Sequence, residues 1–412
     1  MSRRFLPAVP PGAHFRRLLL SRAITAPASA AVPVLVTLSV LQLGGSAAQL
    51  SLVLTAGAVP GIVTLLYSGN LTSRMSPSRL IVLGDLVNAS AAVATGVLLL
   101  MGGLPITGLA ICSAASAISS ALLYPAYGSL LTQVVDRDHL REANALRSMT
   151  GSAATIAGPA LSGLAVALLD VKVPWFVVAV AFVAGAVLVR GVVGRRVSAD
   201  DDGTVLGSVR TSWSYFISQG WLVRMTVFSA VWHMTVWAPL LVLGPVTLQQ
   251  RFSHPSAWGY FEALIGVGGL LAAGPLGKAG WQRVLLPAVS GLLGVAVVTA
   301  LFASSAPLMV LVGSGLVVGA ALCAAEIFWT TAMQSWIPEE QLPHMLSYDY
   351  LVSVALLPVG LALVPLVSGG VGPAATLYCG AGIALVAAAI ALAEGATRRR
   401  TVAETEPAKA AN

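Results

Sequence analysis

Apolar residues fall along this chain in long unbroken runs, and short segments rich in Gly, Pro, Ser and charge separate each run from the next. A helix needs roughly 20 apolar residues to cross a hydrocarbon core of about 30 Å. Runs of that length occur at 18–43, 48–68, 80–101, 106–131, 143–169 and 174–193. After a polar stretch they return at 222–248, 257–276, 282–303, 307–335, 344–367 and 372–394. The pattern predicts an all-α polytopic membrane protein with 12 transmembrane helices. A spanning barrel would need alternating strands of about ten residues, and these runs do not alternate.

The order of the runs carries a repeat. The segment 131–163, an apolar end, a charged loop and a helix rich in small residues, returns in similar form at 333–365, an offset of 202 in a chain of 412. At that offset Leu140 falls on Leu342, Asp138 on Glu340, Tyr127 on Trp329 and Gly158 on Gly360. The chain therefore reads as two pseudo-symmetric six-helix bundles in tandem. The expected division is an N-terminal bundle over 1–193, a cytoplasmic linker over 194–220, a C-terminal bundle over 221–397 and a cytoplasmic tail over 398–412. Within the linker, the aromatic spacing of VRTSWSYFISQGW suggests a helix lying in the membrane interface.

Composition agrees with the pattern and charge orients it. Hydrophobic residues make up 57% of the chain and charged residues 9%, with a mean hydropathy of +0.86. A soluble domain carries about 25% charged residues. The net charge of +7 reads as topology rather than as an affinity for nucleic acid. With both termini in the cytoplasm, 21 of the 23 Lys and Arg lie on that side, and only Lys172 and Arg251 lie outside. APASA at 26–30 looks like a signal-peptidase site, but the apolar run continues past it, so an uncleaved first span is expected. Cys112, Cys323 and Cys379 sit inside apolar runs, without metal-like or disulfide-like spacing.

Several motifs resemble those of the major facilitator superfamily, whose members carry two six-helix halves in parallel repeat. GNLTSRMSPSRL at 69–80, with Gly69, Arg74 and Arg79, is similar to that family's loop between spans two and three, except that Thr72 stands where an Asp is usual. Gly151, Gly158, Pro159 and Gly163 on span five resemble the glycine-proline motif of its exporters. FRRLLLSRAITA, DRDHLREANAL and IPEEQLPHMLSYD are similar to the macrolide-efflux and enterobactin-exporter branch. The resemblance implies a monomeric secondary transporter in the cell (inner) membrane. It would take a small-molecule substrate and use the proton gradient, with no cofactor.

Ionisable groups inside spans each need a reason, because one at the bilayer centre costs about 2.5–3.5 kcal/mol on insertion scales. Glu326 in span ten and Glu262 in span eight are deep enough to carry protons, or else to hydrogen-bond a neighbouring helix. Asp85 in span three reads as a partner for Arg74 or Arg79 that locks the adjoining loop, with proton coupling as the alternative. Asp349 in span eleven reads as a structural partner in the other half, and as a candidate cavity residue. Arg22 either snorkels to the interface or points into the cavity. His233, between Trp232 and Trp237 in span seven, is a satisfied core residue or a proton relay. Tyr127, Trp232, Trp237 and Trp329 could line the cavity of an amphipathic ligand or anchor span ends.

No Walker loop, catalytic triad or metal-ligand spacing occurs in the sequence, and an enzyme is not expected. The function expected is secondary active export of an amphipathic small molecule by proton antiport. The rivals are an importer or facilitator of the same fold, and a lipid-moving or receptor-like membrane protein.

Overall fold

The computed structural model describes residues 12–102, 106–135, 139–192, 212–253, 257–278, 284–338 and 341–392. The acidic loop at 136–138, Glu340, most of the linker and the C-terminal tail lie outside the described residues, as do the surroundings of Gly69 and the side chain of Arg74. The chain divides into two compact units, Met1–Asp200 and Asp201–Asn412.

The first unit holds α1 (Ala13–Gln42), α2 (Ala47–Arg74), α3 (Pro77–Leu100), α4 (Ile106–Val134), α5 (Leu140–Leu168) and α6 (Lys172–Val189). The second opens with α7 (212–218). It continues with α8 (Gly220–Phe252), α9 (Ala257–Lys278), α10 (Leu285–Ala303), α11 (Leu308–Trp336), α12 (Leu342–Val371) and α13 (Pro373–Leu392). Among the described residues, eleven helices are long and apolar enough to cross a membrane. Within the remaining long helix, α5, the described residues include the apolar stretch Ala157–Val166.

Local chemistry sets the ends of these helices. Gly44 and Gly102 close the turns after α1 and α3 with φ of 71° and 65°, a conformation costly for other residues. Ser46 and Gln49 form a reciprocal cap at the start of α2: the Gln49 N–H donates to Ser46 Oγ (3.4 Å) and the Ser46 N–H donates to Gln49 Oε1 (2.9 Å). The loop expected from residue 69 is shorter than the sequence suggests. The α2 helix runs on to Arg74, and extended Ser76 followed by Pro77 opens α3.

Three spans read as continuous contain breaks. In α8 the turn His233–Trp237 is π-helical. Ser314 interrupts α11, and Leu356, two residues before Pro358, interrupts α12. The last follows from the clash of a proline ring with the preceding helical turn.

The two units pack their helices by the same plan. In the first, α1 lies against α5 and α6, α2 against α4, and α3 against α4 and α6. In the second, α8 lies against α12 and α13, α9 against α11, and α10 against α11 and α13. Each of these adjacencies of the first unit recurs among its counterparts seven labels later.

Phe15, Leu80, Ile81, Leu123 and Leu130 fill one core, and Trp221, Phe228, Val289, Phe328 and Met333 the other. The outward faces are as apolar as the cores: Val180 is 68% exposed, Leu270 63% and Ile390 65%. Soluble monomers do not display such faces on helix after helix, so the solvent they meet is lipid. Phe216 of α7 is buried in the second core and stacks on Trp213 (5.3 Å), with Tyr348 of α12 edge-on to both rings. In the turn between α5 and α6, partial burial works against ionisation of Asp170. The Lys172 N–H (3.1 Å) and ammonium (3.2 Å) outweigh it and hold this carboxyl below its ordinary pKa.

Candidate functional site

Each unit encloses a polar cluster around one carboxylate. In the first, α1, α3, α4 and α6 converge on Asp85, which is fully buried, and neither of its carboxylate oxygens has a hydrogen-bond partner among the described residues. Ser21 donates to the Gly185 carbonyl at 3.2 Å and lies 3.1 Å from the Tyr127 hydroxyl, with Thr25 at 3.4 Å from the same hydroxyl.

Bare glycine forms the wall between these groups. A Cβ on Gly185 would lie 3.1 Å from Asp85 Oδ2 and 3.3 Å from Ser21 Oγ. The Arg22 guanidinium lies over the Tyr127 ring at 5.1 Å and within electrostatic range of Asp85. Close by, Asn88 donates to Ser119 (3.2 Å), and Ser119 donates to the Gly84 carbonyl (2.6 Å). The α3–α4 seam is thus tied at Gly84 and Asn88, while Asp85 between them is left untied. Arg79, read as a possible partner of Asp85, is exposed.

In the second unit Asp349 is also buried but fully engaged. It accepts from Thr226 of α8 (2.6 Å), Trp329 Nε1 of α11 (2.8 Å) and Ser353 (3.4 Å). Tyr127 and Trp329, paired at the repeat offset, each extend a polar tip into their unit's cluster. These bonds tie α8 and α11 to α12 through one carboxylate. Thr226→Val keeps the shape and removes one donor to a buried carboxylate, a bond worth about 1.5–3 kcal/mol. A thermal midpoint clearly below wild type is expected, read by fluorescence unfolding in detergent.

The other carboxylates differ. Glu326 is exposed and accepts from Thr330 at 3.3 Å, and it lies within electrostatic range of Asp349. Glu262 on α9 is half-buried and makes no hydrogen bond among the described residues. His233 Nδ1 lies 2.8 Å from the Ser229 carbonyl, and its ring stands perpendicular to Trp232 at 5.0 Å. Trp232 stacks on Trp237 at 5.7 Å and donates to the Leu292 carbonyl at 2.8 Å.

Of the span-five motif, Gly158 is pressed against α1: an added Cβ would lie 2.6 Å from Ala30 Cβ and 3.0 Å from Ala31 N. Gly151 has nothing within 4 Å, Gly163 is buried, and Pro159 lies inside α5 without ending it.

One residue was missed by reading the loops. Arg147, one of the 21 Lys and Arg counted on the cytoplasmic side although it falls in the run 143–169, is half-buried inside α5, and a Cβ on Gly128 of α4 would meet its Nη1 at 3.7 Å. The signal was present: an offset of 202 sets Arg147 against Asp349.

The sequence profile described as Major Facilitator Superfamily matches residues 18–288. The chain belongs to the major facilitator superfamily.

It is a multi-pass integral membrane protein with the fold of a transporter, a class that binds small-molecule substrates. No curated protein matches it in sequence. Solved structures similar in fold include a peptide transporter POT in complex with sulfate (TM-score 0.70, 15% identity, 97% of this chain and 99% of that one). Another is the nucleoside transporter NupG (0.68, 12%, 92% and 98%). A third is a bacterial homologue of the iron transporter ferroportin in an outward-facing state (0.59, 19%, 92% and 98%). At these identities the likeness is one of superfamily fold.

Proposed function

We propose that this superfamily member is a secondary active exporter of an amphipathic small molecule, an antibiotic, siderophore or other secondary metabolite. In this reading it works in the cell (inner) membrane as a monomer of twelve spans with both termini cytoplasmic, and it exchanges substrate for protons by alternating access. The observation that carries the coupling is Asp85, a carboxylate fully buried and without a hydrogen-bond partner among the described residues. A charge held this way is costly in a low-dielectric interior, so a proton that binds and leaves is the economical way to run the site. Half-buried Glu262, also unpartnered among the described residues, is the second carrier. Exposed Glu326 is the weaker choice. Export, rather than import, is supported by the glycine-proline motif at Gly158–Pro159.

The test is proton release from the purified protein in weakly buffered detergent. Macrolides, siderophores, chloramphenicol-like and cationic compounds are added in turn. One chemical class is expected to release protons in proportion to its binding. Binding without release, seen as quenching of Trp fluorescence, would overturn antiport in favour of a facilitator. Accumulation of that substrate by energised right-side-out vesicles would overturn export.

A further inference from the structure

We propose that the π-helical turn of α8 builds a binding face for a planar aromatic ligand with a hydrogen-bond donor on its edge, stacked on Trp237 and read by His233 Nε2. The inference rests on the transporter reading above and adds a substrate class to it.

The backbone comes first. In an α-helix of 3.6 residues per turn, residues five apart are about 140° apart around the axis and cannot stack. Here the Ala238 N–H bonds back to the His233 carbonyl, five residues earlier. That spacing brings Trp232 and Trp237 together, their rings 5.7 Å apart and 17° from parallel. Such a turn is rare in helices and frequent at functional sites.

The turn is held from behind by its neighbours. A Cβ on Gly360 of α12 would lie 2.6 Å from the Met234 carbonyl oxygen and 2.9 Å from Ala238 Cβ. Gly380 of α13 rests as closely on the Thr235 carbonyl. Thr235 and Val236 are buried on that side, whereas His233 and Trp237 are half-buried.

The stack is anchored and its polar handle has a fixed sense. Trp232 is 2% exposed and pinned to the Leu292 carbonyl through its Nε1–H. Trp237 therefore rests on a rigid base, which lowers the ordering cost of a ring laid against it. A carbonyl oxygen can only accept, so the 2.8 Å contact with Ser229 places the proton of a neutral His233 on Nδ1. Nε2 is then an acceptor, and among the described residues it has no partner. An aromatic surface beside an unused acceptor selects a flat molecule with an N–H or O–H at its rim.

Carbazole and dibenzofuran have nearly the same planar shape and differ by one N–H, which makes them the probes. Equilibrium binding to the full-length protein in nanodiscs is expected to favour carbazole by about tenfold. His233→Phe should bring that ratio close to one. His233→Gln, which keeps an acceptor, should preserve a fraction of the preference. Trp237→Leu should weaken both probes about equally, by roughly tenfold or more. Thermal unfolding of each variant identifies any that has lost its fold, and the intact His233→Gln and Trp237→Leu proteins then still decide the matter.

Equal binding of the two probes by wild type, or a preference that survives His233→Phe, would overturn the proposal. If neither probe binds while another compound class releases protons, this site fails and the exporter reading stands. Donor-selective binding without transport under any gradient would leave the site standing and remove the exporter reading.

Discussion

Asp85→Asn is expected to abolish gradient-driven transport while leaving the protein at least as stable as wild type. The two halves of that expectation have one cause. A carboxylate with no exposure and no hydrogen-bond partner among the described residues contributes a desolvation cost that no hydrogen bond there offsets. An isosteric amide removes the charge, so stability is expected to stay level or rise by roughly 1–3 kcal/mol. The exchangeable proton is lost with it. Each proton exchanged under a gradient of one pH unit is worth about 1.4 kcal/mol, or a tenfold concentration ratio. In proteoliposomes the ratio driven by an imposed pH gradient should therefore fall to about one, while substrate counterflow without a gradient continues. A purely structural Asp85 predicts the opposite pattern: a lowered thermal midpoint and parallel loss of counterflow and driven transport.

That Asp85 stands apart from the other carboxylates was not legible in the sequence, and the reason is geometric. Position along a span gives depth in the membrane but not direction around the helix. Glu326 and Asp85 are both acids inside apolar runs, yet one is exposed and the other enclosed by four helices. Enclosure depends on Gly185, Ser21 and Tyr127, which lie on three other helices and whose spacing from Asp85 encodes nothing.

Helix positions were legible, because bilayer thickness imposes a length that composition must satisfy. The twofold repeat was legible too, since Tyr127 and Trp329 fall into register at one offset and each tips a polar group into its unit's cluster. Gly313 and Gly315 flank the break at Ser314, but the π turn at His233 left no such trace. A one-residue change in helical register preserves an apolar run, and no residue type demands it. Arg147 lies inside the run 143–169 but was hidden in the count of cytoplasmic cations, because the opening turns of α5 are polar.

The glycines of the span-five motif are expected to separate sharply when each is changed to alanine. At Gly151 nothing lies within 4 Å of an added Cβ. Alanine there gains intrinsic helix propensity of about 0.5–1 kcal/mol over glycine and meets no obstacle, so the variant should be neutral or slightly stabilised. At Gly158 the same methyl would sit 2.6 Å from Ala30 Cβ and 3.0 Å from the backbone nitrogen of Ala31. A backbone atom cannot turn aside as a flexible side chain can, so α1 and α5 must move apart along their seam. Overpacking of a tight seam costs about 1–3 kcal/mol even for small additions, and interfaces built on small residues have no other source of close approach. Gly360 repeats the arrangement in the second unit, with Met234 Cα at 2.8 Å, and its alanine variant should fall with that of Gly158. Thermal midpoints in detergent, measured side by side, are expected to rank Gly151→Ala at or above wild type and both Gly158→Ala and Gly360→Ala well below it. Transport should follow the same order, because a seam that cannot close in one conformation shifts the population away from it. Equal midpoints for Gly151→Ala and Gly158→Ala would show that the two helices separate freely at this point, and close packing at Gly158 would then not be what holds α1 to α5.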